Sequence, residues 1–130
     1  MYQITVRESE LPWADLGMPG VSMKVLHKDE ATGAMAVLTR IEAGASIPAH
    51  WHSKADETVF VLNGDFVEEG ASYGPGSYFV GKARTRHGPH STVRGCTVLT
   101  HFSAELDFQT GPLPPAVNRL NKGPQPRNEG

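Results

Sequence analysis

Apolar positions come in short runs of alternating or β-branched character, interrupted every few residues by glycine or proline, a rhythm that predicts strands rather than helices. Six runs qualify: Ser22 to Lys28, Ala36 to Glu42, Thr58 to Leu62, Asp65 to Glu68, Ser77 to Val80 and Thr97 to Phe102. Turn chemistry separates them. Asn63-Gly64 in LNGD is a strong two-residue hairpin signal, and SYGPGSY supplies Gly74, Pro75 and Gly76. A 3.6-residue period is not sustained anywhere, and only a turn near Leu11 to Leu16 has helical spacing. Many short strands joined by regular turns predict an all-β sandwich or barrel.

A chain of 130 residues can bury one core and is short for two. Residues 1–110 are expected to form a single domain with an N-terminal extension, and the proline- and asparagine-rich stretch 111–130 a surface tail. The formal charge of −2 gives no electrostatic bias toward nucleic acid or an anionic membrane, so neither is expected as a partner. The chain lacks the roughly 18 consecutive apolar residues of a membrane span. Its start, MYQITVRESEL, lacks a basic and apolar leader, and a cytoplasmic location is expected. A single cysteine, Cys96, excludes an intramolecular disulfide. Its flanks, RGCTVLTHF, read as a strand, which makes it a core residue rather than a nucleophile.

Chemistry concentrates in GASIPAHWHSKADETVFVLNG, from Gly44 to Gly64. In extended backbone residues i and i+2 share a side, so His50 and His52 can aim both imidazoles at one point while Trp51 points the other way. Glu57 opens the next apolar run, and the loop SKAD lets it fold back beside the pair. A carboxylate with imidazoles suits Fe, Mn, Co, Ni, Cu or Zn rather than Ca or Mg. A further ligand is expected from GPGSYFVGKARTRHGPHS, which offers His87 and His90.

Any one of these histidines alone would most simply be an ordinary core or surface residue; together with Glu57 they point to a metal. His101, on the last strand, is a candidate pocket residue, and His27 is expected to be unrelated. Lys82, Arg84, Arg86 and Arg94 read as a solvated basic loop, and Phe60, Tyr78, Phe79 and Phe102 as barrel packing. Serine-hydrolase, phosphate-loop, H-E-x-x-H and C-x-x-C patterns are all absent.

These residues resemble the cupin superfamily. Its first motif is met by Gly44, His50, His52, Glu57 and Gly64 at every spacing. Its second resembles the stretch from Gly76 to His87, with Ser77, Lys82 and Arg84 where the family usually has aspartate, proline and glycine; the resemblance selects His87 over His90 as the ligand. The likeness runs from about Trp13 to Phe108 and narrows to small cupins related to acetylacetone dioxygenase and to the cupin domain of zinc-binding anti-sigma factors.

Such relatives imply a jelly-roll (double-stranded β-helix) barrel of six or more strands. They also imply a metal in its mouth and commonly a homodimer. The implied function is a mononuclear non-haem dioxygenase using iron, with Zn, Ni, Mn or Co as other occupants, acting on a small oxygen-chelating molecule such as a β-dicarbonyl. A non-catalytic sensory cupin and a metal-assisted isomerase or hydrolase share the same residues. Whether Glu57 binds the metal directly or sits behind it stays open, because its spacer permits both.

Overall fold

The computed structural model describes residues 1–115, so most of the tail expected at 111–130 lies outside the described residues. Ten strands form two antiparallel sheets. The larger contains β1 (Ala14–Asp15), β2 (Val21–Lys28), β3 (Met35–Ile41), β5 (Glu57–Gly64), β8 (Tyr78–Gly81) and β10 (Cys96–Phe102), in the order β1-β2-β3-β10-β5-β8. The smaller contains β4 (Ser46–Ile47), β6 (Phe66–Glu68), β7 (Ala71–Tyr73) and β9 (His90–Ser91), in the order β4-β9-β6-β7. The two sheets make a jelly-roll sandwich, the all-β architecture expected. Among the described residues no helix is long and apolar enough to cross a membrane.

Period-two alternation decides what faces the interior. On β10 the side chains of Cys96, Val98, Thr100 and Phe102 are buried while His101 is exposed; on β5 Glu57, Val59 and Val61 are buried while Phe60 and Leu62 are exposed. Two apolar clusters result. One joins Val21, Ile41, Val59, Val61, Phe66, Cys96 and Val98, and the other Val37, Ala55 and Phe102. Glu57, the first residue of β5, is therefore carried on the inner face of the sheet by the same alternation that buries Val59 and Val61.

Several expectations are corrected. Asn63-Gly64 does not turn a hairpin: both residues stay in β5 opposite Thr97 and Cys96, and the chain then passes to β6 in the other sheet. Gly64 has a φ of +80°, and a Cβ there would lie 1.9 Å from the Gly95 carbonyl oxygen. Asp65 fixes this corner by accepting hydrogen bonds from the Val93 and Arg94 amides and the Thr92 hydroxyl.

The tight two-residue hairpin instead joins β6 to β7 through Glu69-Gly70, both with positive φ, as a type I′ turn requires. The only helical turn among the described residues is 3-10, at Glu8–Glu10, and Ala14–Asp15 is a strand. There the Glu8 carboxylate meets the buried Lys24 ammonium at 2.8 Å, and Lys24 also lies over the Trp13 ring. Phe60 and Tyr78 pair across β5 and β8 but lie on the outer, exposed face, so they contribute nothing to barrel packing.

Candidate metal centre

The segment between β4 and β5 is held in extended form by two different neighbours. His50 exchanges both backbone hydrogen bonds with His87 at 2.9 Å, and Trp51 exchanges its own with Gln109 at 2.9 and 3.0 Å. Alternation then sends His50 and His52 inward. Trp51 is directed away from the cavity and donates its indole N–H to the Gly111 carbonyl. Glu57 faces Gly81 across the β5–β8 pair. The His87 ring lies over that glycine, where a Cβ would come within 3.0 Å of Nδ1.

The structure brings His50, His52, Glu57 and His87 together: one donor atom from each lies within 4.8 Å of all the others. Glu57 Oε1 is 2.9 Å from His52 Nε2 and 3.0 Å from His87 Nε2, and the Nε2 atoms of His50 and His87 are 3.1 Å apart. The His50 Nδ1–H donates to the Pro48 carbonyl at 2.8 Å, and the His52 Nδ1–H to the Asp107 carbonyl at 2.5 Å. A carbonyl only accepts, so these contacts put the protons on Nδ1 and leave both Nε2 lone pairs facing the cluster. Lone pairs converging beside a buried carboxylate need a cation or protons between them, and the donor set of three imidazoles and one carboxylate fits a first-row divalent ion.

Electrostatics agree with that fit. Burial, reinforced by the neighbouring imidazoles, lowers the His50 pKa to about 4, so this ring stays neutral at physiological pH. Burial works against the charge on Glu57, yet its contacts with His52 and His87, whose Nε2 atoms donate to it only when they carry protons in place of a metal, outweigh it and hold the carboxyl well below its usual range. Burial likewise opposes charge on His52, but the Glu57 carboxylate and the Asp107 carbonyl raise its pKa. His52 is thus where a proton competes with a metal.

Metal binding near neutrality should therefore release protons, and affinity should fall as acid protonates His52 first and His50 only near pH 4. Metal content after dialysis across pH 7 to 5 checks this (roughly the span around the ordinary histidine pKa), and a content that does not change would contradict histidine ligation.

Above the cluster lies a cavity of about 340 Å³. Its walls are mainly apolar, with Met18, Ile41, Val59, Phe66 and Phe108 among them, and among the described residues no lysine or arginine lines it. Phe108 stacks on His50 with centroids 4.3 Å apart, and Phe102 meets His52 edge-on at 5.5 Å. A smaller space of about 160 Å³ lies beyond, bordered by Glu57, Glu68, Phe79, His87 and His90.

Other expected site residues divide. His90 lines both cavities. His101 does not belong to the site, because the register of β10 turns it to the exposed face, one position out of phase with Thr100 and Phe102. Lys82 and Arg94 lie near Asp56 and Asp65 at 3.7 and 3.8 Å, and Arg86 donates to the Gly111 carbonyl, so the basic loop is anchored away from the cavity. Cys96 is buried in the core, and burial pushes its thiol up to about 11.

Sequence reading missed Phe108, the Asp107 carbonyl that orients His52, and Glu68 beside His90. Only Phe108 had a local signal, as an isolated aromatic after the last strand.

The model of the family described as "ChrR Cupin-like domain" matches residues 1–104. No curated protein matches the sequence. Among solved structures, KdgF from Halomonas sp. is 28% identical, with a TM-score of 0.66 over 75% of this chain and 92% of that one. The complex of Rhodobacter sphaeroides SigE with the anti-sigma ChrR contains a chain 27% identical, with a TM-score of 0.60, covering 73% of this chain and 50% of that one. An acetylacetone dioxygenase from Acinetobacter johnsonii is 16% identical and shares the fold, with a TM-score of 0.66 over 83% of this chain and 77% of that one.

Proposed function

Because this chain belongs to the ChrR cupin-like domain family, we propose that it is a metal-dependent cupin enzyme, a mononuclear non-haem dioxygenase for a small oxygen-chelating substrate such as a β-dicarbonyl. One observation carries the reading: three imidazoles and a carboxylate converge at the end of an apolar cavity whose described lining holds no lysine or arginine. A highly charged substrate would enter such walls without compensation, whereas a compact chelator with apolar substituents would lose little. The name of the Acinetobacter johnsonii neighbour supports the same substrate class.

His50, His52, Glu57 and His87 would hold the ion, for which iron is proposed and Zn, Ni, Mn or Co would also fit the donors. When bound, it supplies Lewis acidity toward a chelating enolate and, as iron(II), redox chemistry with dioxygen. The chain's own residues do the rest. Pro48 and Asp107 carbonyls fix the rings, Phe108 covers His50, and the apolar walls exclude water from the chelating atoms. A cytoplasmic homodimer completes the proposal.

Protein loaded anaerobically with iron(II) and mixed with acetylacetone in aerated buffer is expected to consume oxygen as the diketone disappears, while the zinc form consumes none. An iron form that takes up no oxygen with acetylacetone or with catechols would overturn the dioxygenase.

The family description and the 27% identity to a chain of the SigE–ChrR complex favour a second reading, a non-catalytic sensory cupin. Tight ligand binding without turnover would select it. Product formed without oxygen uptake would select a metal-assisted isomerase or hydrolase.

A further inference from the structure

His90 is a buried histidine that the four-residue cluster leaves unused. Residues 68 and 90 are directly paired across β6 and β9, so their side chains share a face of the smaller sheet. There the His90 Nδ1 bonds the Glu68 carboxylate. A carboxylate at neutral pH only accepts, so Nδ1 carries the proton and Nε2 presents a lone pair. His90 is 7% exposed, and its Nε2 is buried without a hydrogen-bond partner among the described residues.

The ring stacks on Phe66 at 5.1 Å and borders the main cavity. Its centroid stands 5.4 and 5.5 Å from those of His50 and His87, and it is not part of the four-residue cluster. A buried acceptor without a partner, backed by a carboxylate on a ring that borders an apolar cavity, is the arrangement of a general base awaiting a substrate proton.

We propose that His90 takes the acidic proton of the chelating substrate, with Glu68 as the positioning residue that holds its ring and tautomer. This rests on the substrate class proposed above. For a 1,3-dicarbonyl, the central C–H bond breaks and its proton goes to His90 Nε2. The electron pair stays on the substrate and spreads over both oxygens as the enolate, while the new imidazolium is balanced by Glu68. No oxidant enters the step.

The test uses the zinc-loaded protein, which separates proton removal from oxygen chemistry. The keto form of acetylacetone is mixed in a stopped-flow instrument, and enolate absorbance in the near ultraviolet is followed. His90→Gln is expected to slow enolate formation on the order of 100-fold, with a primary deuterium isotope effect in the wild type. Zinc content and the binding of pre-ionised acetylacetonate should stay within about twofold of wild type, as expected for a group acting in the proton-transfer step alone. Glu68→Gln should give a smaller slowing with the same binding of the anion.

Equal rates in wild type and His90→Gln would overturn the assignment, as would a wild type that forms no enolate. Loss of zinc from His90→Gln would overturn it too, in favour of a ligand role. Oxygen uptake by the iron form reports on the dioxygenase separately: uptake without base-dependent enolisation leaves that function standing, and enolisation without uptake leaves the base standing.

Discussion

Replacing His52 with alanine is expected to lower metal affinity by more than two orders of magnitude, since loss of a mere outer partner of a ligand already costs roughly 10- to 100-fold. The substitution removes one donor and also the nearer of the two histidines that keep the Glu57 carboxylate ionised, at 2.9 Å. Glu57 would be left buried with His87 alone, and its carboxyl would move back toward its ordinary range. Equilibrium dialysis with zinc followed by elemental analysis measures the change. His101→Ala serves as the control, because His101 is exposed on the outer face of β10 and its removal should leave the metal in place.

Gly64→Ala should be the most damaging small substitution in the corner between the sheets. The new methyl carbon would sit 1.9 Å from the Gly95 carbonyl oxygen, and the backbone there has a φ of +80°. The left-handed conformation and the overpacking together should destabilise the fold by about 2–5 kcal/mol, lowering the melting temperature by roughly 10 °C or more. Gly44→Ala separates the two costs. Gly44 has the same φ of +80° but nothing within 4 Å of the added carbon, so its loss should be confined to the backbone part, about 1–2 kcal/mol. Equal melting temperatures for the two variants would show that the close approach to Gly95 carries no weight.

Gly64 also marks where sequence reading failed. Asn-Gly is a hairpin signal because both residues tolerate positive φ, and Gly64 does adopt it, at +80°. What it is used for, a passage between sheets rather than a reversal within one, depends on the pairing of residue 64 with Cys96, which no local pattern encodes. The His50 and His52 pair was legible for the opposite reason, since period-two alternation is local.

His101 was misplaced because membership of a strand does not give its phase; that came from Val98 and Phe102 facing the core. Phe60 and Tyr78 show the same limit, as hydrophobic type alone did not tell the inner from the outer face. The Glu68 and His90 pair was illegible, because it forms only where β6 meets β9.

X-ray absorption at the metal edge of zinc-loaded protein examines the four-residue cluster most directly. A first coordination shell of nitrogen and oxygen at roughly 2.0–2.2 Å, with outer scattering from three imidazole rings, is expected from His50, His52, His87 and Glu57. A sulfur shell at about 2.3 Å, or scattering from fewer than two imidazoles, would contradict it.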